Sequence, residues 1–173
     1  MLIPHHLNAY HFRGIIGNNI LYFIEIRKNN MKISTRGRYS LRMMIDLAQH
    51  YNDGFIALKD ISDRQEISKK YLEQIVPFLS RDNLLIANKG HLGGYKLSRN
   101  PALITVREIL QSAEGSLNPV SCMDNDPNLC EKCADCITLP IYKGLYDVIN
   151  QYFDNISLED IITKQVSNFT YNI

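Results

Sequence analysis

Residues 57–98, ALKDISDRQEISKKYLEQIVPFLSRDNLLIANKGHLGGYKLS, carry the pattern that most restricts the fold. Ala57–Gln65 reads as a short helix with Leu58 and Ile61 on one face. A brief break at Glu66-Ile67 leads to Ser68, whose hydroxyl suits the N-cap of a following helix. In that helix Leu72, Ile75, Val76 and Leu79 recur at steps of three and four, which gathers them into one buried stripe. Lys69, Lys70, Glu73 and Gln74 fall off the stripe, toward solvent. Two helices joined by a tight turn, the second with a polar free face, form a helix-turn-helix pattern. Leu84–Asn88 and Tyr95–Ser98 then read as short strands, and KGHLGG between them supplies the glycines that a hairpin turn favours. A basic, Gly-rich hairpin in that position is a wing. Pro77 conflicts with the pattern, because proline inside a helix removes a hydrogen bond and costs about 3 kcal/mol. A kink is expected there, or a helix that presents only Lys69–Val76.

The flanking segments are helical too. Thr35 to about His50 carries Tyr39, Met43, Ile45, Leu47 and Ala48 at helical spacing, and Asn52-Asp53-Gly54 signals a turn. Thr105–Gly115 is a short amphipathic helix stopped by glycine. Leu139–Ile156 places Ile141, Leu145, Val148, Ile149, Tyr152 and Ile156 at steps of three and four, a continuous apolar stripe. If the winged part closes its own core, a stripe beyond it is expected to meet a second copy of the chain; packing within the chain is the competing reading. Ser157 and Asp160 mark the start of a final short helix. The expected fold is mainly α with a small β-wing: a winged helix-turn-helix domain plus a long C-terminal dimerisation helix. Its parts are the winged domain (31–100), a connecting helix (101–121), a cysteine loop (122–136), the dimerisation and terminal helices (137–165) and a tail (166–173).

Residues 1–30 fit no part of this plan. Gly17, Asn18 and Asn19 interrupt their apolar run, which is too short for a secretory core or a membrane span. Met31 is followed at once by the patterned region, so it is the expected natural start, with 1–30 a non-native extension. Without a signal or anchor the expected compartment is the cytoplasm, where thiols stay reduced.

Charge divides the chain. Residues 31–99 hold twelve Lys/Arg against seven Asp/Glu, whereas residues 100–173 hold four against ten. A basic half suits a polyanion, although two ordinary solvated surfaces would also look this way. Ser68, Lys69, Lys70 and Tyr71 begin the second helix, the end that approaches base edges in the major groove of double-stranded DNA. Glu73 and Gln74, one turn on, can address the cytosine amino group and adenine. Arg36, Arg38 and Tyr39 suit backbone contacts, and Lys89 and Lys96 flank the wing, where cations meet phosphate. No triad or phosphate-binding loop supports catalysis, so an enzyme is not expected.

All four cysteines lie in CMDNDPNLCEKCADC, residues 122–136. In a reducing compartment such a loop suits a metal better than a disulfide framework. CEKCADC has the C-x2-C-x2-C spacing that wraps one face of an iron–sulfur cluster, and Cys122 offers a fourth thiolate. Thiolates equally select zinc, and metal-free redox thiols are a third option.

MKISTRGRYSLRMMIDLA, DISDRQEISKKYLEQIV and KGHLGGYKLS, in this order and spacing, resemble the Rrf-type transcription regulators over Met31 to Gln165. This bacterial family has an iron–sulfur cluster branch (IscR), a nitric-oxide-sensing branch (NsrR) and a cysteine-metabolism branch (CymR). The resemblance implies a homodimeric winged-helix DNA-binding protein whose long C-terminal helix crosses its partner. It carries a base-reading surface onto Ser68, Tyr71, Glu73 and Gln74, and a wing contact onto Lys89 and Gly90. It also implies a cluster, 2Fe-2S or 4Fe-4S, held by Cys122, Cys130 and Cys136. Their gaps of seven and five residues resemble the nitric-oxide-sensing branch more than IscR. Leu139 stands where IscR-like members place a histidine, and Cys133 is an additional thiol. The function this implies is control of DNA affinity by redox, iron, nitric oxide or cluster status. The alternative is a cluster-free, CymR-like repressor of sulfur metabolism controlled by a partner protein, with zinc or redox chemistry at the cysteines.

Overall fold

A computed structural model describes residues 32–90, 93–124 and 130–164. The proposed extension 1–30, the start at Met31 and the tail 166–173 lie outside the described residues.

Helix α1 spans Thr35–Gln49, and its N-cap Ser34 accepts a hydrogen bond from the Gly37 N–H. A 3-10 turn at Tyr51–Asp53 and Gly54 lead to α2, Leu58–Gln65, which ends on Glu66 in the left-handed conformation. Ser68 caps α3, Lys69–Arg81, as its position implied. Leu72, Ile75, Val76 and Leu79 are all buried, so the apolar spacing identified the inward face.

At Pro77, where a kink was expected, α3 continues as helix as far as Arg81. Proline leaves the Glu73 carbonyl without its usual N–H partner. Pro77 and Glu73 are both exposed, so water can bond that carbonyl and the cost of the missing bond falls. On the buried face the same residue would be far more disruptive.

The wing comprises β1, Leu85–Asn88, antiparallel to β2, Gly94–Leu97, in the register Leu85 opposite Leu97 and Asn88 opposite Gly94. Ile56 adds a single bridge to β2 by exchanging backbone hydrogen bonds with Tyr95, at 2.9 and 2.8 Å. This ties the loop before α2 to the wing. Gly90 has φ 120°, a conformation that disfavours any side chain, and it stands at the start of the turn.

Helix α4, Val106–Glu114, opens with a reciprocal capping box between Thr105 and Glu108 and stops at Gly115. Helix α5 spans Leu139–Asp154, and α6, Leu158–Ile162, opens with a second capping box between Ser157 and Asp160. One core unites these elements. Met43, Met44, Leu47, Ile61, Leu72, Ile75 and Leu79 from α1–α3 pack with Ile109 of α4 and Leu158 of α6. The winged region therefore does not close its core unaided, contrary to the premise used to assign the α5 stripe. Backbone bonds from Val106 N–H to Ile156 and from Leu158 N–H to Ile104, each 2.9 Å, fasten the C-terminal segment beside α4.

This explains one correction. Ile156, expected on the pairing stripe, lies past the end of α5 and is 4% exposed, in a second cluster with Val106 and Leu110. Tyr152 packs against the same cluster. Higher on α5 the pattern reverses: Ile141 is 68% exposed and Val148 55%. No described helix is long and apolar enough to cross a membrane.

Candidate nucleic-acid interface and cysteine loop

The free face of α3 begins at Ser68, whose Oγ accepts the Tyr71 N–H at 3.3 Å. Lys69, Lys70, Glu73 and Gln74 are exposed, as expected. Lys69 Nζ lies 3.8 Å from Glu73 Oε1, an exposed ion pair one turn apart on the same face. Tyr71 is half-buried and meets Tyr39 of α1 edge-on, with ring centroids 5.2 Å apart. Both rings pack against the core, so they brace α1 against α3 and present only their outer edges.

Arg36 joins this surface. Its guanidinium carbon stands 4.8 Å from the centroid of the Phe78 ring, and its Nε is buried without a hydrogen-bond partner. Arg36, Tyr71, Gln74, Pro77 and Phe78 line one open groove beside α3. Three of the residues expected to meet DNA are thus brought together by tertiary packing. Arg38 is exposed and donates to Thr35 Oγ1 at 3.0 Å. Lys89 is exposed at the end of β1, whereas Lys96 lies 4.6 Å over the Phe55 ring.

A polar cluster, unanticipated in the sequence, ties α1 to the end of α2. Asp46 of α1 is 1% exposed and accepts from Arg64 Nε at 2.9 Å, Arg64 Nη2 at 2.6 Å and Gln65 Nε2 at 3.1 Å. Arg42 donates to the Gln65 side chain at 3.2 Å and to its backbone carbonyl. Burial is the largest influence on the Asp46 carboxyl and opposes its ionisation. The Arg64 and Gln65 hydrogen bonds, with the charges of Arg64 and His50, outweigh it and hold the group below its usual 3.8. These bonds grip the end of α2 at the turn that launches α3. A lone acid within the apolar run MMIDLA was the available signal.

The cysteine loop separates α4, inside the core, from α5, largely outside it. Cys122 sits exposed in a 3-10 turn, Ser121–Met123. Around it Ser116 Oγ donates to Asp124 Oδ1 at 2.8 Å, and Asn118 Nδ2 donates to the Met123 carbonyl at 2.8 Å and to Asp124 Oδ1 at 3.1 Å. Residues 125–129 lie outside the described residues. Cys130, Cys133 and Cys136 are half-buried, and the Cys133 N–H bonds the Cys130 carbonyl at 3.0 Å, folding the first C-x2-C into a turn. Cys136 Sγ lies 3.4 Å from Thr138 Oγ1, just before α5. That hydroxyl foremost, then the backbone amides of Thr138 and Leu139, lower the Cys136 thiol pKa and favour the thiolate. The donors are therefore of the soft type that iron–sulfur and zinc centres take. Among the described residues, however, no three such side chains converge on a point that could hold a metal ion.

The exposed face of α5 carries Ile141, Leu145 and Val148, joined by Tyr142 and by Ile137 just before the helix, which is 90% exposed. Ile149 is half-buried. Arg107 of α4 anchors the inner face, donating to Asn150 Oδ1 and to Asp154 Oδ2, each at 3.0 Å.

Comparison with known proteins decides what this arrangement is. The family described as Iron-dependent Transcriptional regulator, Rrf2, matches residues 33–164. The chain belongs to the Rrf2 family. An HTH-type transcriptional regulator, ORF2, of Azotobacter vinelandii is 36% identical over 134 residues, covering 78% of this chain and 80% of the relative. The HTH-type transcriptional regulator IscR of Photorhabdus laumondii is 33% identical over 135 residues, covering 78% and 81%. Among solved structures, CymR, the global cysteine regulator of B. subtilis, aligns with a TM-score of 0.60 at 32% identity, over 80% of this chain and 98% of CymR. IscR of T. potens aligns at 0.61 and 28% identity, over 82% and 93%. The helix-turn-helix and hairpin are accordingly the winged helix of an Rrf2 transcriptional regulator, and the chain is a DNA-binding protein of that class rather than an enzyme.

Proposed function

We propose that this Rrf2 protein is a cytoplasmic homodimer that binds a specific operator in double-stranded DNA, with affinity set by an iron–sulfur cluster in the Cys122–Cys136 loop. The observation that carries the reading is the placement of the thiols. All four cysteines lie on the one connection between α4, packed into the winged core, and α5, whose Ile141, Leu145 and Val148 face outward.

Lys69, Lys70, Glu73 and Gln74 read the major groove from the exposed face of α3, with Ser68 and Tyr71 fixing its first turn. Arg36, Arg38 and Tyr39 approach the backbone from the start of α1, and Lys89 with Gly90 does so from the wing. Ile141, Leu145, Val148 and Ile149 pair α5 with a second copy, which places two reading heads at a defined separation. Cys122, Cys130 and Cys136 hold the cluster, 2Fe-2S or 4Fe-4S, and Cys133 is available as a further thiolate. When bound, such a group supplies reversible redox and ligand-exchange chemistry that oxidants, nitric oxide or iron supply can alter. Ordering of the loop then fixes how α5 leaves the head, and with it the spacing of the two α3 helices.

The test is operator affinity of anaerobically prepared, cluster-bearing protein against Cys130→Ala and Cys136→Ala. A change of tenfold or more is expected, and equal affinity for all three removes sensing by this loop. A second reading is favoured by the likeness to CymR, the global cysteine regulator of B. subtilis, at 32% identity. On it the protein is a cluster-free repressor of sulfur metabolism controlled by a partner protein, with structural zinc or redox thiols in the loop. A brown anaerobic preparation containing iron and sulfide supports the first reading. A colourless one supports the second.

A further inference from the structure

Glu114 is the last residue of α4, and its carboxylate does not stay with its own helix. Oε1 accepts the backbone N–H of Ser34, eighty positions away, at 2.8 Å. Ser34 is the N-cap of α1, and its hydroxyl in turn accepts the Gly37 N–H at 3.1 Å. The two acceptors together satisfy N–H groups that the start of α1 would otherwise leave unpaired. The negative charge also lies at the positive end of the helix dipole, where α1 has no acidic residue of its own in the first turn. The seat is specific. A Cβ built on Gly37 would fall 2.2 Å from Glu114 Oε1, so the absence of a side chain at 37 is what admits the carboxylate.

The segment beyond Glu114 gives this contact its meaning. Gly115 ends α4 with φ 85°, and the chain enters the hydrogen-bonded knot of Ser116, Asn118, Met123 and Asp124, within whose span Cys122 sits exposed. The Asn118 N–H also donates to Ser116 Oγ, at 3.1 Å, so the knot closes directly beside Gly115. On the α1 side, Arg36 and Arg38, the cations assigned to the DNA backbone, come within four residues of Ser34. One carboxylate thus bridges the root of the cysteine loop and the root of the DNA-facing helix.

We propose that Glu114 is a positioning residue that transmits the state of the Cys122 segment to the first turn of α1, and so to Arg36 and Arg38. The link rests on the DNA-binding reading, but it does not require any particular metal. Movement of the knot shifts Gly115 and withdraws Oε1 from Ser34. The start of α1 then loses an N–H acceptor and a stabilising charge together, and its first turn frays.

Hydrogen exchange on the full-length chain, without DNA, tests this as a double-mutant cycle. Asn118→Ala opens the knot from the loop side. In the wild-type background it should raise exchange across the amides of residues 34–38 by roughly tenfold, the scale of one charge-assisted hydrogen bond. Glu114→Ala should produce the same rise, and Asn118→Ala should add nothing further to it. Gly37→Ala, which expels the carboxylate from the opposite side, should reproduce the effect. Glu114→Gln, which keeps an oxygen acceptor, should restore most of the protection. A purely structural role for Glu114 would instead give additive effects, or protection at 34–38 that ignores Asn118→Ala, and either result overturns the proposal. Failure of the cysteine-sensing reading is seen separately, as operator affinity that is unchanged in Cys130→Ala and Cys136→Ala while the exchange coupling persists.

Discussion

The winged head and α5 each carry an apolar stripe, yet they solve the problem of water differently. In the head, α3 turns Leu72, Ile75, Val76 and Leu79 into a core completed by α1, α2, α4 and α6. In α5, Ile141 and Val148 remain more than half exposed, while the inner face is held by Arg107 on Asn150 and Asp154 and by Tyr152 and Phe153 against the cluster of Val106 and Leu110. The head is a finished structure within one chain. Helix α5 leaves Ile141, Leu145 and Val148 exposed, and on the proposed reading this face pairs with a second copy. The cysteine loop lies at the boundary between these regimes, on the connection from α4 to α5.

The largest effect is expected in the head. Leu79→Ala removes a fully buried side chain and should cost about 2–5 kcal/mol in chemical denaturation. A loss below about 1 kcal/mol would place Leu79 in a loosely packed site and blur the contrast with α5.

Next comes the Asp46 cluster, at about 2 kcal/mol for Asp46→Ala, because the loss leaves Arg64 and Gln65 without their shared acceptor. Its pH dependence has a defined sign. The folded carboxyl titrates below its usual 3.8, so its contribution is complete above that value and is lost as pH falls through the lower folded value. Acid titration of stability should therefore be shallower in Asp46→Asn than in the wild type. Parallel curves would mean that the ion pair adds nothing to the head.

The smallest effect on stability belongs to α5. Leu145→Asp, at an exposed position, should leave the melting temperature of dilute protein nearly unchanged while converting the sedimenting species from dimer to monomer. If it instead unfolds the chain, α5 is part of the core and the comparison fails.

The helices were legible wherever the cause was local. Ser68 and Ser157 cap the helices they precede, the α3 stripe points inward, and Gly115 stops α4, because each depends on residues within a turn or two. Helical periodicity, in contrast, names a face without naming what covers it. Ile141 and Ile156 share one stripe in the sequence, but one is exposed and the other buried beside Val106. Pro77 is accommodated on the exposed side of α3, which continues through it to Arg81.

Composition and spacing were thus sufficient for the element order, the winged helix-turn-helix, the polar face of α3 and the grouping of soft ligands in one loop. Tertiary packing alone decided that α4 and α6 complete the core, that Asp46 of α1 clamps the end of α2, and that Glu114 reaches Ser34 across eighty residues. The physical reason is range. Capping and amphipathic spacing act over one turn of helix and leave a mark in adjacent letters, whereas a buried carboxylate finds its partner only after the chain has folded back on itself.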